Sequence, residues 1–266
     1  MARTAINSSA IHVFDVLRLV ARTDEPLGVS EISRRLGLPA STVYRALITL
    51  EESDYLVRHQ NMPRYELGQM PQLLNRSLVH RFRLHAASRP HLRRLAERTG
   101  ETATLTVRLG WYGLRLAGVY GSHDIYHRDR LGEVSLLHGS VAGLGILAFL
   151  GDGAAAYREF AETRGADLDW PATEAAIKAA RDAGIAHSRD VAGVALPVRN
   201  PEGDVLASIA ISALDLSAAA ESDTIWLDVR DALEVEIAAD PAAFESPFAH
   251  IPPDEIILDL ERMPLS

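Results

Sequence analysis

Between residues 29 and 50 apolar positions recur at helical spacing on both sides of a break at Gly37-Leu38-Pro39. At about 100° per residue, Val43, Ala46, Leu47 and Leu50 gather on one face of the second segment. Ser41, Thr42, Arg45 and Thr49 gather on the opposite face. Ser30 is placed to cap the first segment, Gly37 to stop it and Leu38-Pro39 to open the second. Upstream, Ser8 and Ser9 predict a capped helix through about Ala21, with Ile11, Phe14, Val16, Leu17 and Val20 as its apolar positions. Downstream the period changes to that of strands. Tyr55–His59 and Arg64–Leu67 flank the turn-forming run Gln60-Asn61-Met62-Pro63. Helix, helix, helix and hairpin make a winged helix–turn–helix over residues 1–70.

The chemistry of these segments points to nucleic acid. A helix with an apolar back and a short, arginine-bearing front suits the major groove, where Arg pairs with guanine and Ser or Thr reaches bases or phosphates. A hairpin after that helix would bring Arg58, His59 and Arg64 toward the phosphate backbone or the adjacent minor groove. The candidate contacts to double-stranded operator DNA are Ser41, Thr42, Tyr44, Arg45, Thr49, Arg58 and Arg64. An amphipathic helix pair inside an ordinary core shows the same spacing, and the hairpin weighs against it.

Residues 71–85 read as a linker helix, and Pro90 opens or kinks the next one, which runs through Arg98. Thr102–Leu109 and Leu114–Tyr120 then alternate as strands around Gly110-Trp111-Tyr112-Gly113, with Ile125–Leu131 a weaker third strand. Ser140–Leu150 suits a buried helix, followed by helices at about Ala154–Thr163 and Thr173–Ala183. Gly193–Val198 and Val205–Ala213 are strands joined by a strong turn, and a last helix covers about Ser222–Ala238. Strands, helices and strands again predict an α+β domain around an antiparallel sheet over residues 86–240. Residues 241–266 form a C-terminal extension, too proline-rich over 240–253 for a helix. Its Phe244, Phe248, Ile251, Ile256, Ile257 and Leu258 are too many large apolar groups to leave in water. The extension is expected to pack on its own domain or on a second subunit.

Charge sharpens this division. The net charge of −9 looks wrong for a DNA binder until the halves are separated. Residues 1–98 hold 15 Arg against 9 Asp and Glu, and the remainder holds 12 Lys and Arg against 27 Asp and Glu. A basic N-terminal part joined to an acidic C-terminal part fits a chain in which one domain meets a polyanion. The mean hydropathy of +0.00 is that of a soluble globular protein. No apolar run is long enough for a membrane span, and residues 1–7 lack an apolar signal region. With no cysteine there is no disulfide and no thiolate site. A cytoplasmic location is expected.

The order of these elements, with three local motifs, resembles the IclR family of bacterial transcriptional regulators over about residues 5–240. The matching segments are Ser30–Leu47, Leu95–Ala103 and Leu137–Phe149, with Ala195–Ser212 as a further match. The resemblance implies a homodimer or a dimer of dimers whose C-terminal domain binds a small-molecule effector and biases DNA binding. Several positions depart from the family pattern. Leu144 follows Gly143 where a Lys is usual, Arg189 lies near the position of an Asp, and Gly193 near that of a Cys. Of two usual serines on the last strand, one is Ala210 and the other is Ser212. These replacements imply a roomier, less polar pocket that suits an aromatic or larger organic acid. The amides of Ser140, Val141 and Ala142 could meet the anion at a helix N-terminus. His138 serves either as a titratable donor there or as a structural hydrogen-bonding group.

Other chemistry finds little support. His123, Asp124, His127 and Asp129 carry ligand-type groups, but His123 and His127 would stand about 13 Å apart along a strand, so no metal is expected. Gly139-Ser140-Val141-Ala142-Gly143 lacks nucleophile-elbow spacing, and no phosphate loop or dinucleotide pattern occurs. No cofactor is expected. A ligand-responsive regulator is the first expectation. A small-molecule enzyme or sensor using the winged helix for protein interaction is the alternative.

Overall fold

The computed structural model describes residues 7–23, 25–59, 61–74, 83–122, 131–164, 166–187, 193–212, 223–245 and 252–253. They divide into two compact units, one up to residue 74 and the other from residue 83.

In the N-terminal unit, α1 (Ser8–Ala21), α2 (Val29–Leu36) and α3 (Ala40–Glu52) pack around Val16, Val20, Ile32, Val43, Leu47 and Leu50, all buried. Gly37 ends α2 at φ 65°, a left-handed conformation that glycine adopts without steric cost. The caps differ from expectation. Asn7 rather than Ser8 or Ser9 caps α1, its side-chain oxygen accepting from the amides of Ser9 and Ala10. The α2 cap is Gly28 rather than Ser30, because Leu27–Gly28 form a short strand, β1, that leads straight into the helix. This strand pairs with β3 (Arg64–Leu67), which pairs in turn with β2 (Leu56–Arg58), so the wing is a three-stranded antiparallel sheet. Leu56 and Tyr65 bury its inner face.

Residues 70–74 are helical, and the rest of the expected linker helix up to residue 82 lies outside the described residues. The next helix, α4 (Arg83–Thr99), runs through Pro90, so Pro90 does not open it, and the expected boundary at 85/86 falls inside this helix. Proline removes a single ladder hydrogen bond. Leu84, Leu92, Leu95 and Ala96 still bury this helix against the sheet.

That sheet has six strands among the described residues, in the order β6-β5-β4-β9-β8-β7, every pair antiparallel. They are β4 (Thr102–Leu109), β5 (Tyr112–Val119), β6 (Val134–Leu136), β7 (Ala186–His187), β8 (Gly193–Arg199) and β9 (Val205–Ser212). Gly110, at φ 60°, starts the two-residue turn between β4 and β5, where positive φ matches the twist of a hairpin. The third strand stands at 134–136 rather than at 125–131; residues 125–130 lie outside the described residues, and Leu131 is in a turn.

The two faces of the sheet differ in size. Ala103, Leu105, Val107, Leu196, Ile209 and Ile211 point to one side, packing on α4 and on α8 (Asp223–Ala239). Thr102, Thr104, Thr106, Ala195, Ser208 and Ala210 form a shallow second face. Helix α5 (Val141–Leu147) lies on β8 and β9, shorter than the expected 140–150. A 3-10 turn at Leu137–Gly139 precedes it, and α6 (Gly153–Thr163) and α7 (Trp170–Ala183) complete that layer. The start of the extension is helical after all. Pro241 occupies the first turn of α9 (Pro241–Phe244), where its missing N–H costs no hydrogen bond. Phe244 is buried in the α4–α8 core beneath the Arg83 guanidinium, which also pairs with Asp240 at 2.9 Å. The later extension residues 246–251 and 254–266 lie outside the described residues.

Two α5 glycines permit this close layer. A Cβ on Gly143 would collide with the Leu137 carbonyl, which is backbone and cannot turn aside. A Cβ on Gly145 would stand 2.6 Å from the Ser208 hydroxyl, which can rotate, and 3.0 Å from the Ala195 methyl. Gly143→Ala is expected to destabilise by about 1–3 kcal/mol and Gly145→Ala by less. Thermal unfolding of the two variants checks the order, and equal melting temperatures would contradict this account of the packing.

Candidate DNA-facing helix and effector cavity

The outward face of α3 is built from the residues left over once its inner face is buried. Ser41, Tyr44, Arg45 and Thr49 are exposed and Thr42 is half-buried. The Arg45 side chain has no hydrogen bond or ion pair among the described residues, so its five donors face solvent. Thr49 is less available than its type suggests, because its hydroxyl donates to the Arg45 carbonyl at 2.9 Å. Arg58 is exposed on β2. Arg64 departs from the expectation of a free wing-tip cation. Its guanidinium donates to the Pro26 carbonyl at 2.8 Å and lies 3.6 Å from Glu31, which also holds Arg35. Arg64 therefore ties the wing to β1 and α2. The apolar Ile48, absent from the sequence reading, shares the outward face at 36 % exposure.

In the C-terminal unit a cavity of about 280 Å³ opens beside the start of α5. Of the expected effector residues, it brings together His138, Ser140 and Val141. Leu144 of α5, His187 of β7, and Asp169 and Thr173 at the start of α7 complete much of the wall. Sequence reasoning missed this second wall. Its one local signal was Asp169, placed as an N-cap and accepting from the Ala172 amide at 3.1 Å. Ala142 and Ala210 are buried in the core instead of lining the cavity. Gly193 pairs with Ser212 at the edge of the β8–β9 ladder and does not line it either. Arg189 lies outside the described residues, as do His123, Asp124, His127 and Asp129. The Ser140 hydroxyl accepts from the Gly143 amide at 3.0 Å, which occupies one of the first-turn donors.

His138 is held on three sides. Its Nε2 lies 3.2 Å from the Asp167 carbonyl, which can only accept, so Nε2 bears the proton. Nδ1 is then an acceptor, 2.6 Å from the Tyr157 hydroxyl, which donates to it and accepts from the His138 amide. Burial lowers the His138 pKa, and the Asp167 carbonyl partly offsets that. Burial likewise pushes the Tyr157 hydroxyl far above its usual range, keeping it a donor. The neutral imidazole joins the 3-10 turn, α6 and the approach to α7.

A model of the IclR helix-turn-helix domain matches residues 9–60, and one of the bacterial transcriptional regulator IclR C-terminal domain matches residues 76–233. The chain belongs to the IclR family. It is a transcriptional regulator rather than an enzyme. Among relatives, the HTH-type transcriptional regulator XynR of Escherichia coli K12 is 25% identical over 219 residues, 79% of this chain and 87% of XynR. Other curated IclR-family relatives are matched over about half of their length. The crystal structure of Thermotoga maritima IclR has a TM-score of 0.70 at 20% identity, covering 86% of this chain and 98% of that one. An IclR homologue from Microbacterium hydrocarbonoxydans, crystallised with 4-hydroxybenzoate, also gives 0.70, at 24% identity, covering 88% of this chain and 100% of its own. These likenesses bear on the fold. Among the described residues no helix is long and apolar enough to cross a membrane.

The neutral His138 network has a pH signature. A histidine whose folded pKa lies below its unfolded value near about 6.5 stabilises the fold fully above that value. The contribution is lost as pH falls through the folded value. His138→Asn keeps an acceptor for Tyr157 and removes the titration. On acidification below about pH 6.5 the unaltered chain should lose more melting temperature than the variant, and parallel curves would count against the neutral assignment.

Proposed function

We propose that this IclR-family chain is a ligand-responsive regulator that reads double-stranded operator DNA with the outward face of α3. The observation that supports it most is Arg45, unpaired among the described residues at an exposed helix face. Ser41, Thr42, Tyr44 and Thr49 flank it as base and phosphate contacts, and Arg58 meets the backbone from the wing. Arg64 supports the wing and meets the phosphates indirectly. The functional division is residues 1–70 for DNA, 71–85 as linker, 86–240 for the effector and 241–266 as a C-terminal extension, with the boundary at 85/86 inside α4. The chain works as a homodimer or a dimer of dimers in the cytoplasm, where paired reading helices meet repeated half-sites.

The effector enters the cavity at His138, Ser140, Val141 and Leu144. The Leu144 side chain in the wall suits an organic acid with substantial apolar surface, aromatic acids included. The homologue crystallised with 4-hydroxybenzoate makes that compound a reasonable first probe.

Two measurements test these readings. Arg45→Ala should cost about 1–3 kcal/mol of specific DNA binding at an unchanged melting temperature, whereas Arg64→Ala should lower the melting temperature. Intact operator discrimination in Arg45→Ala would refute the reading helix. In a panel of aromatic and aliphatic acids, those that raise the melting temperature should lose that effect in Leu144→Glu, whose carboxylate repels the acid. A shift unchanged in Leu144→Glu would place the effector elsewhere.

A further inference from the structure

The outward face of α3 is not simply polar. Ile48 lies seven residues after Ser41, two helical turns on, three after Arg45 and four after Tyr44. At about 100° per residue this puts Ile48 on the exposed face between Tyr44 and Ser41, about 140° from Val43 and 160° from Leu50. Leu50 and Val43 are 4% and 0% exposed, Ile48 is 36% and Tyr44 53%. A β-branched residue has no intrinsic advantage on the solvent side of a helix. The Thr49 hydroxyl is already bonded to the helix backbone. What the face offers a base edge is one guanidinium from Arg45, hydroxyls from Ser41 and the half-buried Thr42, and a largely apolar patch made by Tyr44 and Ile48.

Thymine alone among the four DNA bases presents a methyl group in the major groove, and apolar side chains recognise it there. We propose that Ile48, flanked by Tyr44, is a specificity-determining residue that packs on a thymine methyl beside the guanine read by Arg45. The occupant of the patch is duplex DNA because the same exposed face presents the unpaired Arg45 guanidinium beside the Ser41 hydroxyl. The inference rests on the DNA-reading role of α3 proposed above. It adds that a half-site places a thymine next to that guanine.

The experiment uses the full chain and duplexes selected by it from a randomised pool. Each thymine is replaced in turn by uracil, which lacks only the methyl. The unaltered chain should lose about threefold to tenfold in affinity at one or two positions next to the guanine whose loss is masked by Arg45→Ala. Ile48→Ala should show a similar loss on the thymine duplex and no further loss on the uracil duplex. Ile48→Val, which trims one methyl, should show a smaller loss at the same positions and serves if Ile48→Ala does not fold. Uracil losses that persist unchanged in both variants overturn the proposal while leaving DNA reading by α3 intact. The same holds if Ile48→Ala changes only the oligomeric state in light scattering, which would make the patch a contact between copies. A chain that selects no sequence from the pool overturns the DNA reading and this inference with it.

Discussion

The C-terminal unit depends on how closely α5 can approach the sheet. Thr102, Thr104 and Thr106 alternate along β4 with Ala103, Leu105 and Val107. This strand therefore offers a deep apolar face to α4 and α8 and a shallow one to α5. Gly145 meets the shallow face at Ser208 and Ala195, and Gly143 meets the carbonyl of the preceding 3-10 turn. With the helix seated this low, Ser140 caps it and His138 reaches Tyr157 on α6. The cavity follows from those positions. Its inner wall is the mouth of a helix pressed onto strands, and its outer wall is α7, which packs on β7 and α5. A larger residue at Gly143 would lift α5, and the cap and the histidine bridge would move with it.

The N-terminal unit answers a different need, which is to hold a short helix rigid while leaving one side of it bare. Ala46, Leu47 and Leu50 anchor α3 from below. The wing is tied to the start of α2 by backbone pairing of β1 with β3 and by the Arg64 guanidinium on the Pro26 carbonyl. Exposed ion pairs such as Arg18 with Asp15 contribute little to stability in water. Rigidity here comes mainly from the core and from hydrogen bonds to backbone carbonyls, so the outward residues are free to vary without loss of the fold.

The parts of this architecture visible in the sequence are those set by local spacing. The inner face of α3 and the left-handed Gly37 depend on residues a few positions apart and stand where the spacing puts them, and the β4–β5 hairpin does so with a tighter turn, β5 starting at Tyr112 rather than Leu114. The parts hidden from the sequence are those decided by distant partners. Gly28 caps α2 because β1 is recruited by β3, almost forty residues away. Helix α4 continues through Pro90 because the sheet and α8 bury its apolar side. His138, Ser140 and Val141 were legible as a cavity edge from their motif. Asp169, Thr173 and His187 were not, since nothing in their own stretch shows that α7 and β7 come to face α5. Ile48 escaped notice for a related reason: an apolar residue in a polar stripe carries no period of its own.

The arginines show why charge totals and positions must be weighed together. A basic excess over residues 1–98 steers a chain toward DNA, and that field is screened over about 10 Å at moderate salt. It cannot choose a sequence. Arg64 and Arg35 share Glu31, and Arg18 is held by Asp15, so these three cations are already engaged within the unit. Sequence choice requires a cation that is still unpaired, at a fixed place, next to groups that tell one base edge from another. Arg45 meets the first two conditions on a helix whose other face is buried. Tyr44, Ile48 and Ser41 supply the third. Recognition therefore depends less on the overall charge than on the position of one guanidinium beside one apolar patch.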